Sequence, residues 1–347
     1  MNTNNFYQRQ TVIKEVGESG QEKLNNLNLL IVGAGGLGHP AAIYLTAAGI
    51  GNITIIDNDL IEETNLNRQV LFTPEEVLLP KAEVLASRLK RQNPFININS
   101  KVTRITKSNV EEIATNYDCI LDCTDNFKTK FLLHDFCWLN KKLLIQASIY
   151  QFEGQIQVFD FQNDSVKGCL RCLWPQIPLS NSAENCQEAG VVGAVAGTLG
   201  TLQAMEVIKH VLNLGPISHI ETKIIDLINT TVKKIKWNNS DECPLCSSKA
   251  TIKTIDQTDI SKLEHFEITT LDDNATMIDI REASEFQTTN FIHFPLSDIN
   301  NWKQKINKNN KYIFICTHGV RSKNLVQSLI KENYNNCYSL HNGIDAL

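Results

Sequence analysis

Four of the ten cysteines form two Cys-x-x-Cys pairs, Cys169-Leu170-Arg171-Cys172 and Cys243-Pro244-Leu245-Cys246. Each pair can offer two thiolates to one ion, and two pairs complete a tetrahedral four-cysteine site for Zn2+. Seventy residues lie between the pairs, more than finger spacing. The metal would therefore be structural and would staple a long loop to the end of a domain. A redox dithiol would need only one pair, and four unrelated buried cysteines are the plainer alternative. A fifth cysteine opens Cys316-Thr317-His318-Gly319-Val320-Arg321-Ser322. A cysteine heading a loop of converging N–H groups with an arginine stabilises a thiolate or a persulfide anion, and also suits oxyanions. Cys186, in a polar loop ahead of a helix, is placed to have its thiolate favoured, or is an incidental loop cysteine. Cys119, Cys123, Cys137 and Cys337 read as packing residues.

A second set of residues suits phosphate chemistry. Gly33, Gly35, Gly36 and Gly38 lie in Gly-Ala-Gly-Gly-Leu-Gly, which fits G-x-G-x-x-G. Glycines let the backbone approach a phosphate, and the following helix start presents free N–H groups. Asp57 lies 24 residues past Gly33, where an acidic side chain can bind ribose hydroxyls. Asp59 follows, then Asn65-x-x-Arg68-Gln69, then Lys81. Two cations beside a phosphate loop are more than a dehydrogenase needs, but a triphosphate attacked at phosphorus requires them. Asp125, in Asp122-Cys123-Thr124-Asp125-Asn126 at a strand's carboxyl end, can hold Mg2+ on nucleotide phosphates or else cap the next helix.

These residues need a scaffold. Leu29–Asp57 reads as strand, Gly-rich turn, helix and strand. Helices over 81–93 and 126–138 alternate with strands over 97–105, 118–123 and 143–150, which predicts a mainly parallel, doubly wound sheet. Residues 154–161 alternate with period two and open an antiparallel portion. Residues 162–190 read as a long functional loop, and 191–212 as a buried helix. Strands follow near 220–227 and 231–237. The expected domains are 1–246, a polar linker over 247–262, and a small α/β domain over 263–347.

The chain has 347 residues, 42% of them hydrophobic, with 17 Gly and 9 Pro, which excludes disordered and collagen-like classes. A net charge of −5 and no Lys/Arg run longer than two give no reason to expect a nucleic-acid partner. The opening ten residues contain no apolar run, and Gln203, Glu206 and Lys209 interrupt the most apolar stretch. A cytoplasmic protein with no membrane partner is expected.

Together, Tyr7-x-Arg9-Gln10, Gly-Ala-Gly-Gly-Leu-Gly, Asp57-x-Asp59, Asn65-x-x-Arg68-Gln69, Pro80-Lys81-Ala82-Glu83, Asp122–Asn126 and the paired Cys-x-x-Cys resemble the ThiF/MoeB/HesA adenylyltransferases, bacterial relatives of ubiquitin-activating enzymes, over residues 5–250. Asp279-Ile280-Arg281-Glu282, Cys316–Ser322 and Leu340–Ile344 resemble a rhodanese domain, so the whole resembles a MoeZ-type fusion. The resemblance implies a Rossmann-like sheet of the ubiquitin-activating-enzyme type followed by a small rhodanese-like α/β domain. It implies ATP-dependent adenylation of the C-terminal Gly-Gly carboxylate of a MoaD- or ThiS-like sulfur carrier. Sulfur transfer from a persulfide donor would then give a thiocarboxylate for molybdopterin or thiamine biosynthesis. It assigns Arg9 to the ATP of the other subunit in a homodimer, and Asn65 and Gln69 to the nucleotide pocket. Cys186 becomes a candidate for attack on the acyl-adenylate or for an acyl-disulfide, and Cys316 the persulfide carrier. Around Cys186 the run Asn-Cys-Gln-Glu-Ala-Gly departs from the Ser-Cys-Ala-Glu-Gly type of many relatives. Alternatives are activation of a small-molecule or tRNA-bound carboxylate, a nicotinamide dehydrogenase, and a non-catalytic sulfur-relay scaffold.

Overall fold

A computed structural model describes the chain apart from residues 1–2, 164–167, 178–189, 216–219, 259–265 and 287–289 and the single positions 269, 273, 333, 335, 342 and 347. The described chain divides into two compact units, with the break after Thr258.

The first unit is built on eight strands: β1 (Asn28–Val32), β2 (Asn52–Ile56), β3 (Asn97–Lys101), β4 (Cys119–Asp122), β5 (Leu143–Tyr150), β6 (Glu153–Asp160), β7 (Glu221–Asp226) and β8 (Thr231–Lys236). Their order is β3-β2-β1-β4-β5-β6-β7-β8. The pairs from β3 to β5 are parallel and those from β5 to β8 antiparallel. Leu29–Val32 and Cys119–Asp122 are buried throughout, as strands covered on both faces must be. The helices are α1 (Thr3–Thr11), α2 (Gly17–Asn26), α3 (Gly38–Ala48), α4 (Lys81–Gln92), α5 (Val110–Ala114), α6 (Phe127–Leu139), α7 (Leu170–Leu173) and α8 (Gly193–Val211). The first two were not expected. α1 has few apolar residues, and it is anchored by a buried Tyr7 whose hydroxyl accepts from Asn93 Nδ2 at 2.8 Å. α8 packs on α3 so closely that a Cβ on Gly200 would meet the Leu37 carbonyl oxygen at 2.2 Å.

Part of the expected linker over 247–262 is held on the first unit. Ile252, Ile255 and Thr258 are buried, and Lys107 Nζ donates to the carbonyls of Asp256 and Thr258 at 2.8 Å each. These few apolar residues tie a polar segment to the first unit as far as Thr258.

The second unit is a parallel sheet in the order β11-β10-β12-β13-β9, formed by β9 (Glu267–Ile268), β10 (Thr276–Asp279), β11 (Ile292–His293), β12 (Tyr312–Ile315) and β13 (Cys337–Leu340). Beside it lie α9 (Ile299–Trp302) and α10 (Val320–Lys331). Ile278, Trp302, Phe314, Val326 and Leu329 form one core.

Candidate adenylation and sulfur-transfer sites

The chain runs outward from β1 to β2 and β3, then crosses back to β4. The carboxyl ends of β1 and β4 therefore flank a topological switch point, where open α/β sheets bind ligands. The glycine loop follows β1 and residues 123–126 follow β4. A Cβ on Gly33 (φ +102°) would meet the Cys123 carbonyl oxygen at 2.8 Å, and one on Gly38 would meet the Gly33 carbonyl oxygen at 2.0 Å. Only glycine fits there. Gly36 lies beside the Arg68 stem and Gly35 beside the Gln69 amide, at 3.5 and 3.9 Å from a built Cβ. The expected residues 65–69 are thus brought onto the loop.

Lys81 opens α4 and is buried to 7% exposure, with Nζ 3.2 Å from Asp59 Oδ2. Arg68 donates from Nη1 to the Thr64 carbonyl at 2.8 Å. Asn65 is buried in the capping box that opens this turn. Gln69 is buried too, and its Oε1 has no hydrogen-bond partner among the described residues. An orphan acceptor beside a glycine cradle fits a nucleotide that brings its own donors. Asp57 has a second duty besides the expected ribose contact. Its Oδ2 accepts from Ala34 N at 2.7 Å and its Oδ1 from Asp59 N at 2.8 Å, so it shapes the loop. Burial pushes its pKa up. Asn126, not Asp125, caps α6, its Oδ1 accepting from Thr129 N at 2.9 Å. Asp125 stays exposed at the helix start. Arg9 lies in the last turn of α1, exposed. Cys186 lies outside the described residues.

Sequence reasoning missed what holds this site. Asp122 is fully buried and accepts from Lys130 Nζ at 3.2 Å, Gln146 Nε2 at 2.9 Å and Thr124 N at 2.9 Å. Lys130 also donates to the Ala147 carbonyl at 2.6 Å, and Gln203 Nε2 to the Asp122 carbonyl at 2.9 Å. This network joins β4, α6, β5 and α8 beneath Asp125. His39 was missed too. It is fully buried, 3.1 Å from the Gly35 carbonyl through Nδ1, and burial lowers its pKa to about 4. No spacing rule reveals these residues, although Asp122 lay inside a quoted motif.

The sulfurs of Cys169, Cys172, Cys243 and Cys246 all lie within 4.8 Å of one another. Cys169 and Cys243 are 3.6 Å apart and Cys172 and Cys246 3.3 Å. A tetrahedral ion with metal–sulfur bonds of about 2.3 Å needs sulfurs ~3.8 Å apart, so the cluster fits Zn2+. Hydrogen bonding from neighbouring thiols, Cys169 first, lowers Cys243 to about 7. The first pair is locked to α6. Arg171 donates to Asp135 through Nε at 3.1 Å and Nη2 at 2.7 Å, and Leu170 N donates to His134 Nε2 at 2.9 Å. Arg171, Asp135 and His134 are all fully buried.

In the second unit Cys316 follows β12 and is buried. Its Sγ accepts from Ser322 N at 3.4 Å and lies 3.4 Å from Ser322 Oγ. Ser322 Oγ is in turn 2.8 Å from Ser339 Oγ on β13. Gly319 takes the left-handed conformation (φ +81°) that turns Thr317 and His318 into α10. The closing turn seals the loop: Ile344 N donates to the Cys316 carbonyl at 2.9 Å, and a Cβ on Gly343 would meet that oxygen at 2.2 Å. Val320 and Arg321 open α10. Arg321 forms a two-pronged pair with Glu285, at 2.6 and 2.8 Å, which holds the Glu285 carboxyl down at about 2.

The ThiF family model matches residues 7–245 and the rhodanese-like domain model residues 268–347. The chain belongs to the ThiF family. It is 37% identical over 247 residues to the sulfur carrier protein adenylyltransferase of Thermus thermophilus, covering 71% of this chain and 91% of that one. It is 33% identical over 319 residues to the adenylyltransferase and sulfurtransferase MOCS3 of Culex quinquefasciatus, covering 84% and 72%. It spans 57% of the corresponding Aedes aegypti protein, to which it is 40% identical over 252 residues. The E. coli MccB structure with ATP matches with a TM-score of 0.61 and 25% identity, over 70% of this chain and 75% of that one. This ThiF-family chain is therefore an enzyme of the ATP-using adenylyltransferase class, joined to a rhodanese-like domain for sulfur transfer. Among the described residues no helix is long and apolar enough to cross a membrane.

Proposed function

We propose that this enzyme adenylates the C-terminal Gly-Gly carboxylate of a small ubiquitin-like sulfur carrier of the MoaD or ThiS type and then delivers sulfur to it. The observation that carries the reading is one switch point where the glycine loop meets Arg68, Gln69 and the residues just before Asp125, with Lys81 linked to the loop through Asp59 and Asp57, in a chain that also carries the Cys316 loop. The carrier carboxylate attacks the α-phosphorus of ATP, and pyrophosphate leaves. Arg68 and Lys81 offset the charge that grows at phosphorus. Asp59 holds the Lys81 ammonium in place, and Asp57 shapes the loop while facing the ribose. Asp125 would hold Mg2+, which supplies charge neutralisation on the phosphates. Asn65 and Gln69 line the pocket, and Arg9 reaches the partner's ATP in a homodimer. The four cysteines would hold Zn2+ as a structural ion.

Cys316 carries the sulfur. Its persulfide anion attacks the carrier acyl carbon, AMP leaves, and an acyl-persulfide forms. A thiolate, for which Cys186 is the candidate, then attacks the Cys316 sulfur, the S–S bond breaks and the thiocarboxylate leaves with the electron pair; the disulfide left on Cys316 is reduced by an external thiol, which restores both cysteines. Free thiols at both steps suit a reducing compartment such as the cytoplasm. We assign residues 1–246 to adenylation, 263–347 to sulfur transfer, and 247–262 to their connection.

The test is ATP–pyrophosphate exchange with purified Gly-Gly-ended carriers of the molybdopterin and thiamine types. Exchange with one carrier supports the reading and names the pathway. No exchange with either points to a different carboxylate.

A further inference from the structure

We propose that Glu285 selects the sulfur donor of the Cys316 loop, admitting persulfides and disfavouring thiosulfate by neutralising Arg321. The proposal rests on the sulfur-transfer role assigned above. Arg321 is the arginine of the loop, and its fork is occupied. Nη1 lies 2.6 Å from Glu285 Oε2 and Nη2 2.8 Å from Oε1, while Nη2 also donates to Thr317 Oγ1 at 3.1 Å. Two parallel bonds of this kind use the face with which a guanidinium binds an oxyanion. Both side chains are partly exposed, 34% and 40%, so the pair stands at the surface above a buried sulfur.

Glu285 is not a loose arm. Its Oε2 accepts from Glu282 N at 3.1 Å. The Glu282 carboxylate in turn accepts from Ser297 N at 3.0 Å and Ser297 Oγ at 2.6 Å. Just before it, Arg281 is clamped on the buried Asp279 at 2.7 Å. The acidic partner is thus fixed by the turn after β10, outside the loop itself.

Two donor classes differ in what they ask of that arginine. With thiosulfate, the Cys316 thiolate attacks the outer sulfur, the S–S bond breaks, and sulfite leaves with the electron pair. The loop must first hold a dianion, and a carboxylate beside Arg321 opposes it. With a persulfide R–S–S−, the thiolate attacks the terminal sulfur and R–S− leaves. No sulfonate needs a cationic seat. Both routes leave the same Cys316 persulfide and need no external oxidant or reductant.

The test compares the full chain with Glu285→Gln, which keeps the side-chain length and an acceptor for Glu282 N. Rates of Cys316 persulfide loading are measured with thiosulfate and with glutathione persulfide, using cyanide as the acceptor. The expected result is a rise of tenfold or more in kcat/KM for thiosulfate, carried mainly by a lower KM and weakened by salt. The persulfide rate should stay within twofold. Glu285→Asp, which keeps the charge, should retain the discrimination against thiosulfate. An unchanged donor ratio, or an equal fall with both donors, would overturn the inference. Transfer from neither donor by either protein would overturn the sulfur-transfer reading and this inference with it.

Discussion

The two chemical centres are built in opposite ways. The Cys316 loop is contiguous: seven residues, 316–322, running from the end of β12 into the first turn of α10, supply the sulfur, the glycine turn, the arginine and the Ser322 hydroxyl. The proposed nucleotide site is dispersed. Its glycines, Arg68, Lys81 and Asp125 come from four segments that the switch between β1 and β4 gathers. A contiguous loop carries its geometry in local turn chemistry, whereas a dispersed site borrows its geometry from a buried frame. Charge follows the same division. The ion pair in the frame, Lys130 with Asp122, is buried, while the pair at the loop, Arg321 with Glu285, is half-exposed.

The largest effect should separate the centres outright. Cys316→Ala should abolish thiocarboxylate formation while pyrophosphate exchange continues at the wild-type rate; a parallel fall in both would join what we have kept apart. Asp125→Ala and Lys81→Ala should cut exchange by about 10²–10³-fold, and should leave sulfur loading on Cys316 unchanged. Normal exchange in Asp125→Ala would remove its assigned role.

A third expectation probes the buried frame. Asp135→Asn leaves the Arg171 guanidinium buried without its anion, at a cost of about 3–5 kcal/mol. The melting temperature of the first unit should fall on the order of 10 °C, and the bound metal, about one zinc per chain for a single four-cysteine site, should be released to a chelator faster. Calorimetry with a colorimetric zinc assay measures both, and unchanged values would detach the metal knuckle from α6. A fourth uses acid. His39 is near 6.5 when unfolded and about 4 when folded, so the folded state resists the proton. Its stability is fully present above pH 6.5 and is lost as pH falls toward 4, by about 3 kcal/mol. His39→Gln should flatten that part of the stability curve. The smallest effect belongs to the exposed Lys249–Glu242 pair, whose removal should change stability by less than about 1 kcal/mol.

Much of the molecule was legible beforehand. The Gly33–Gly38 turn, the parallel strands, the period-two run over 154–161 that opens the antiparallel portion and the paired cysteines follow from local patterns, because each is decided within a few residues. The helix over 3–11 was not legible, since one buried tyrosine anchors it and not an apolar face. Asp125 had two readings until Asn126 was found to cap α6. The polar segment after Cys246 read as a linker, and the burial of Ile252, Ile255 and Thr258 was not legible, because a few apolar residues gain meaning only from the surface they meet.

The sequence by itself determined which reactive groups stand together: a glycine-rich turn after a strand, two Cys-x-x-Cys pairs and a cysteine-headed loop with an arginine, each written in residue types at fixed spacing. Only the tertiary structure decided how they are supported. Strand order placed Cys123 and Thr124 against the glycine loop, packing drew Lys130 onto Asp122 and Arg171 onto Asp135, and a turn 31 residues before Cys316 set Glu285 against Arg321. Short-range spacing can specify a turn or a metal knuckle, but partners remote in sequence meet only when burial and chain crossing bring their backbones together.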